Sequence, residues 1–566
     1  MSNLGPASQP SSVERSPEVL LPKEAPVMSS KEEVGETDNH HDNSDEYVTG
    51  VKLVLIVASV ALACFLMLLD TMVVSTAIPS ITDTFNSLPD VGWYASAYQF
   101  GSAAPQPLTG KVYTHFNTKW SFLSFFAIFE IGSILCGAAA SSDMLIVGRA
   151  VAGFGAAGIT NGAITIISSC APLEKRPALI GLTMGLMQFG LVAGPLIGGA
   201  FTTYTTWRWC FYVNLPVGAF TALVILLVPV PEQMPKQKAF VIFSRLHHYL
   251  DLLGFALFAP AVLQLLLALQ YGGNQYAWRS STVIGLFCGS GATFVVWLLW
   301  NRHKGDDALL PHSMIKQTVV WASGLFQAFM ISAVYGATFF LPIYFQAINN
   351  VTAMLSGVYL LPTILPQLLM AGLSGVLLQK MGYIIPIAVV GTIFLALGSG
   401  LYSLLQPDSS TGDWVGFQIL AGVGSGLSMQ LSIISIQAAV GEAQLATGMA
   451  LVIFAQSLGP ALVLVVCNVI FNSSLKSQLL DKAPRTDAAA VIQAGATGFR
   501  AIVKSDDLPG VLAAYATSVD RVFYFVTAIA AACIVVLWGM GWHDLRTKGN
   551  KVEDGAVHSD KHGESA

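Results

Sequence analysis

Charge is scarce in this chain. Asp, Glu, Lys and Arg make up 11% of its 566 residues, whereas 54% are hydrophobic. Soluble domains carry about 25% charged residues, so composition argues for a membrane protein, and the mean hydropathy of +0.63 agrees. Lysine-rich runs are absent, which removes the electrostatic footprint of a nucleic-acid binder, and the net charge of -5 comes largely from the polar ends. Cysteine is sparse: the seven residues at 64, 136, 170, 210, 288, 467 and 533 lie mostly in or beside apolar segments. None has CxxC or metal-ligand spacing, so neither a disulfide framework nor a metal site is expected. A nucleotide-driven pump would need the loop G-x-x-x-x-G-K-[ST]. Lys111 is the only lysine directly after a glycine in the first 500 residues, and it lacks both the earlier glycine and the following hydroxyl. No polar stretch is long enough for a nucleotide-binding domain, and no repeated loop suits a channel filter. His247 and His248, near Asp251, fit a flexible basic loop better than the active site of a membrane enzyme. The expectation is a protein that is no enzyme and uses no cofactor, nucleotide, nucleic acid or metal.

What is present is a series of long apolar runs. A helix needs about 20 apolar residues to cross the hydrocarbon core. Fourteen segments qualify: 52–78, 92–110, 120–140, 145–167, 178–200, 211–231, 250–270, 282–300, 318–345, 354–378, 384–405, 413–437, 445–471 and 521–542. The expected fold is therefore an all-α integral membrane bundle. An even number of spans puts both ends on one side. With the ends inside, the short inner loops hold Lys111, Lys119, Lys175, Arg176, Lys236, Lys238, Arg245, Arg302, Lys304, Lys316 and Lys380, while the short outer loops hold only Arg208 and Arg279. By the positive-inside bias both termini are cytoplasmic. Two glycosylation sequons, at Asn350 and Asn472, fall in segments this orientation places outside. Residues 1–50, with ten acidic and three basic residues and five prolines, read as a disordered cytoplasmic tail in which His40 and His41 are solvated.

Segments 265 to 269 residues apart match in order. Gly110 and the residues after it align with the run from Gly375; Arg149-Ala-Val-Ala-Gly-Phe-Gly aligns with Gln418-Ile-Leu-Ala-Gly-Val-Gly; Gly194-Pro195 aligns with Gly459-Pro460. An offset of eight spans keeps matched spans parallel. The expected organisation is a tail (1–50), a six-helix half (51–231), two inserted helices with flanking loops (232–317), a second six-helix half (318–545, with a long outer loop 472–520) and a cytoplasmic tail (546–566). Parallel halves are one recurring plan of secondary transporters, with substrate held between them at mid-membrane.

Ionisable groups inside spans are costly and mark function. The clear cases are Asp70, Glu130 and Arg149, all in the first half. At comparable depth the second half offers amides: Gln327, Gln367, Gln418, Gln430, Gln437, Gln456 and Asn468. The repeat keeps its glycines but exchanges Arg149 for Gln418, so the charge is not a structural need common to both halves. A carboxylate beside a permanently charged guanidinium, in a cavity whose hydration changes, can load and release a proton. The bland alternatives are a residue near a span end for Asp70, an inter-helix hydrogen bond for Arg149 and a paired bundle residue for Glu130. The fifth span adds Gly190, Gly194 and Gly198 on one face, with Gly199 and Pro195, a smooth surface beside a helix-bending residue. Ten aromatic residues (Trp93, Tyr94, Tyr98, Phe100, Phe189, Tyr335, Phe339, Phe340, Tyr344 and Phe345) suit a cavity for flat apolar solutes, though each taken alone better suits core, interfacial or lipid contact.

Gly190-x-x-x-Gly194-Pro195-x-x-Gly198-Gly199 resembles the antiporter motif of the major facilitator superfamily. Leu69-Asp70-Thr71 through Pro79, Arg149 with Gly153 and Gly155, Trp207-Arg208-Trp209 with Phe211 and Asn214-Leu215-Pro216, Gln270 through Trp278, and Leu341 through Gln346 resemble segments of its fourteen-span drug:proton antiporters. The resemblance runs from about residue 51 to 545 and is nearest to fungal toxin-efflux pumps. It implies proton-coupled efflux of small amphipathic compounds such as toxins, secondary metabolites or drugs, driven by the proton gradient, with the plasma membrane as the first expected location. The vacuolar membrane is the second location, and an importer or siderophore–proton symporter is the alternative on the same scaffold. It implies proton coupling for Asp70 and Arg149. One segment departs from the family: the inner loop G-x-x-x-D-R-x-G-R-R has Thr114 at the aspartate and His115 at the first arginine, leaving Gly110, Lys111 and Lys119.

Overall fold

The computed structural model describes residues 47–542 except 86–89, 233–235, 237–248 and 274–275. Most of both tails, with His40 and His41, and the loop histidines His247 and His248 lie outside the described residues. Among the described residues there is no strand, only a single bridge between Gly272 and Tyr276. Helices prevail because lipid offers backbone groups no partner, so each segment must satisfy its own.

In chain order the first helices are α1 (Gly50–Phe85), α2 (Val91–Ala103), α3 (Gln106–His115), α4 (Thr118–Gly137), α5 (Ser142–Cys170), α6 (Arg176–Tyr204) and α7 (Asn214–Leu227). Two follow in the middle, α8 (Leu252–Tyr271) and α9 (Ser281–Lys304). Then come α10 (Thr318–Ala347), α11 (Leu361–Met381), α12 (Ile384–Leu401), α13 (Thr411–Ser428), α14 (Leu431–Ala439), α15 (Glu442–Lys482), α16 (Ala488–Ile502) and α17 (Leu508–Val536). Side chains close many ends: Asn117 caps α4, Ser141 caps α5, and Ser410 with Asp413 forms a capping box on α13.

Among the described residues twelve helical stretches are long and apolar enough to cross a membrane, where fourteen were expected. The remaining two expected segments are helical as well. The second is α2 and α3, broken at Ala104–Pro105 because Pro105 and Pro107 each remove a backbone donor. The fifth lies on α6, whose 29 residues carry the glycine-rich face.

The packing repeats along the chain. α1 lies along α6 and α4 along α5; α10 lies along α15 and α12 along α13. α2 packs on α5 as α11 packs on α13, and α3 meets α15 as α6 meets α11. The close approaches recur glycine for glycine. An added Cβ would drive Gly132 into the backbone of Ala152 and Gly398 into that of Ala421. It would drive Gly153 into the Tyr98 carbonyl and Gly422 into that of Thr363, and Gly155 into Phe129 and Gly424 into Leu395. These partners stand 265 to 269 positions apart, the spacing of the sequence repeat. α5 and the α13–α14 stretch are buried along most of their length, whereas α9 presents Phe294, Val295, Val296, Leu298 and Leu299 outward, as lipid contact requires.

Residues 472–520 are not the long loop that was expected. α15 has 41 residues, about 60 Å of helix at 1.5 Å per residue, twice the hydrocarbon thickness of about 30 Å. Leu475, Leu479, Val491, Phe499 and Val511 are buried, and the Phe499 ring stacks on Tyr515 at 4.9 Å between centroids. Arg500 donates from Nη2 to the carbonyls of Ala347 and Ile348 at 2.8 and 3.1 Å, tying this hairpin to the end of α10. Polar residues between the apolar ones hide this packing in a hydropathy reading.

Candidate functional site

Asp70 on α1 and Arg149 on α5 meet in the interior of the first bundle. Both side chains are buried, and Arg149 Nη1 donates to Asp70 Oδ2 at 2.5 Å. Arg149 Nε donates to the Tyr94 carbonyl at 2.9 Å, and its guanidinium lies 4.4 Å from the centre of the Tyr98 ring. The second carboxylate oxygen, Asp70 Oδ1, accepts from Asn214 Nδ2 at 3.2 Å, and the same nitrogen donates to Ser133 Oγ at 3.1 Å. Burying two charges costs several kcal/mol per ion unless they are paired and bonded. Both conditions are met here, with partners drawn from α1, α2, α4, α5 and the start of α7. The glycines at 153 and 155 let α5 approach α2 and α4 closely enough for this.

Glu130 does not join these bonds. Its carboxylate sits against Gly218 on α7, one turn from Asn214, and on α4 it lies one turn from Ser133. Four buried polar atoms described in this region have no hydrogen-bond partner: both Glu130 oxygens, Arg149 Nη2 and Asn214 Oδ1. Unpartnered buried polar groups are rare in native folds and call for an explanation. Sequence reasoning found Asp70, Arg149 and Glu130 but had Asn214 only inside a motif, and it missed Ser133 and the Tyr94 carbonyl. The available signal was a lone amide opening an otherwise apolar helix.

The glycine motif buttresses this pair. A Cβ on Gly190 would reach Leu69 N at 2.8 Å, and one on Gly194 would reach Met72 C and Val73 N at 3.1 Å. The two glycines thus clamp α1 on either side of Asp70. Gly198 is buried, a Cβ added to Gly199 would meet nothing within 4 Å and Pro195 lies within α6. The described contacts of Gly190 and Gly194 lie on α1, and it is Gly181 and Gly185, nearer the start of α6, that meet Ala371 and Leu368 of α11.

At the other end of these helices the seam between α3 and α15 is closed by small residues and neutral hydrogen bonds. A Cβ on Gly110 would stand 2.9 Å from both Thr447 Cα and Ala450 Cβ. Thr114, at the family's aspartate position, shares a hydrogen bond with Thr447 at 3.4 Å, and Asn161 Nδ2 donates to the Ala446 carbonyl at 3.4 Å. Gln437 Nε2 donates to Ser168 Oγ at 3.0 Å, and Gly375 packs on Pro177 and Ala178. The loop lysines do more than bias orientation. Lys119 Nζ donates to the carbonyls of Leu226 and Val228, capping α7, and Lys111 Nζ reaches the Asp307 carbonyl at 3.4 Å. Burial pulls the Lys111 ammonium below the usual lysine range, with the Asp251 and Asp307 carboxylates opposing that. Asp251 is structural: it accepts from Gly254 N, Trp300 Nε1 and Leu309 N, clasping α8 to the end of α9.

The second half carries amides where the first carries charge. Gln418 Oε1 accepts from Thr363 at 3.0 Å and Gln327 Nε2 donates to Gln456 at 2.9 Å. The Gln418–Thr363 contact stands where Arg149 stacks on Tyr98 in the repeat, so the matched position keeps its neighbour and loses its ion.

A model of the Major Facilitator Superfamily matches residues 60–464, well over half of the chain. The chain belongs to the Major Facilitator Superfamily. It is an integral membrane transporter and not an enzyme. It is 55% identical over 500 residues to the MFS-type transporter pigP of Monascus ruber, covering 88% of each chain. It is 46% identical over 540 residues to the efflux pump mlcE of Penicillium citrinum, covering 94% of this chain and 98% of that one. Among solved structures, the superfamily proton:xylose symporter XylE bound to 6-bromo-6-deoxy-D-glucose aligns with a TM-score of 0.56 at 13% identity, covering 88% of this chain and 98% of that chain. At that identity the likeness establishes the fold.

Proposed function

We propose that this chain is a proton-driven exporter of small amphipathic organic compounds, such as secondary metabolites, toxins or drugs, working by alternating access. The observation that carries the reading is the buried Asp70–Arg149 pair. A carboxylate held out of water by one guanidinium and one amide is a site whose protonation must break an ion pair, which ties proton movement to helix packing. Efflux is the activity named for several relatives. The chain is read as fourteen passes in two parallel six-helix halves with α8 and α9 inserted; the recurring glycine contacts support the halves, and the helical character of α2–α3 and α6 supports the count. Both termini are read as cytoplasmic from the distribution of lysine and arginine in the loops, and the plasma membrane is read as the location from the resemblance to toxin-efflux pumps. In this orientation the Gly110 seam closes the cytoplasmic side, so Asp70 loads its proton from outside. Glu130 serves as the second carboxylate of the coupling region.

The test is uptake into inside-out vesicles containing the purified protein. An acid interior should drive accumulation of a hydrophobic toxin from a screened panel; accumulation that ignores the gradient would reject proton coupling.

Two further outcomes follow from the orientation and the seam. Asn350 is exposed in a left-handed turn (φ 54°), and Thr352 of its sequon is exposed, whereas Asn472 lies inside α15 with Ser474 buried. Glycan should therefore sit on Asn350: an endoglycosidase-sensitive mass shift disappears in Asn350→Gln and persists in Asn472→Gln. Gly110→Val should push α3 from α15 and open the cytoplasmic side. A cysteine introduced at Thr447 should then react faster with a hydrophilic maleimide than in the parent, and an unchanged rate would show that the seam tolerates the extra volume.

A further inference from the structure

Among the described residues Asn214 is seen bonding the coupling carboxylate without carrying charge, and its geometry is incomplete in an informative way. It is fully buried, its Nδ2 donates to both Asp70 Oδ1 and Ser133 Oγ, and its Oδ1 faces no donor. A buried amide oxygen left unpaired is costly, so the arrangement is half-satisfied while Asp70 is ionised.

Protonation reverses the requirement. A protonated Asp70 has a hydroxyl to donate and needs an acceptor, which neither Arg149 nor a fixed Nδ2 can provide, because guanidinium and amide nitrogens are donors only. Turning the Asn214 amide over about its last torsion puts Oδ1 where Nδ2 stood, within reach of the same two partners. The Ser133 hydroxyl, which accepts in the ionised state, can donate in the protonated one, since hydroxyls do both. The groups facing Asp70 are few: Arg149 from α5, Tyr98 from α2, Cys136 and Glu130 from α4 and Cys210 from the turn before α7. α6 carries no ionisable side chain between Arg176 and Tyr204. None of the others is seen bonded to Asp70 Oδ1.

We propose that Asn214, backed by Ser133, is the positioning residue that accommodates both protonation states of Asp70, donating to the carboxylate and accepting from the carboxylic acid by inversion of its amide. This rests on the proton-coupling reading above. Its consequence is that the proton can enter without first separating the helices, and only the release of Arg149 then remains to drive the change of access.

The experiment is the pH profile of toxin uptake by inside-out vesicles, varying the lumenal pH that loads the carboxylate, for the parent, Asn214→Leu, Ser133→Ala and Asp70→Asn. Asn214→Leu keeps the side-chain volume and removes both bonds. The ionised carboxylate loses a charge-assisted bond and the protonated one a weaker neutral bond, so the two losses partly offset and the half-maximal point moves to more alkaline pH by about fivefold in proton concentration. Ser133→Ala moves it the same way by less, and it provides the same reading if Asn214→Leu fails to reach the membrane. An alkaline shift well beyond about tenfold would mean that Asn214 acts only as a donor to the ionised carboxylate, and no shift would mean that it is packing; either overturns the inference. Gradient-driven uptake that persists in Asp70→Asn would instead overturn the coupling reading itself, so the two failures are separate.

Discussion

Asp70→Asn abolishes gradient-driven uptake, to the level of vesicles without protein, while the folded bundle survives. The substitution keeps the shape of the side chain and leaves an amide oxygen for Arg149 to bond, so the contacts between α1 and α5 are kept and the uncompensated guanidinium lowers stability less than loss of its partner altogether would. What is lost is the exchangeable proton. The complementary variant behaves differently. Arg149→Met leaves the Asp70 carboxylate buried and uncompensated, at a cost of about 3–5 kcal/mol, and its detergent-solubilised melting temperature falls well below that of the parent. Combining Asp70→Asn with Arg149→Met removes both charges and restores most of that stability, because a neutral buried pair no longer carries the desolvation penalty of ions. Transport does not return in the double variant. Thermal melts alongside uptake measurements check both statements, and recovery of transport with recovery of stability would show that the pair serves only to hold the helices.

The second large effect is in the glycine motif. Gly194→Leu places a branched side chain against Met72 and Val73 of α1, where the backbone atoms already stand 3.1 Å from the first carbon that would be added. Overpacking of this kind costs about 1–3 kcal/mol, and relief by moving α1 shifts Asp70 away from Arg149. Uptake is therefore lost in Gly194→Leu. Gly199, five residues along the same motif, has nothing within 4 Å of an added Cβ, and Gly199→Ala should transport at close to the parental rate. Equal loss in both variants would mean that the motif acts through some other arrangement of the helices than its grip on α1.

The membrane character of the chain was legible because lipid imposes a simple length and polarity rule, and long apolar helices obey it. The repeat was legible for a related reason: glycines required by backbone-to-backbone approach, such as Gly153 and Gly422, cannot be exchanged without moving a helix. Asp70 and Arg149 stood out because charge inside a span is conspicuous. Asn214 did not, because an amide among apolar residues is a weak signal until its partners are known, and those partners come from helices more than 80 and 140 residues away. The partner of the glycine motif was not legible for the same reason, since spacing defines a smooth face and not the helix that fills it. The hairpin at 472–520 was missed because its buried residues alternate with charged ones, which lowers the hydropathy of a segment held by aromatic stacking and by Arg500.

The central claim is that one buried ion pair exchanges a proton for substrate. It is tested most directly by trapping a pH-sensitive dye inside acid-loaded inside-out vesicles and adding a transported toxin outside. The account predicts that toxin addition makes the lumen more alkaline in step with uptake, and that this response is absent with Asp70→Asn. Uptake of toxin with no change in lumenal pH would contradict it.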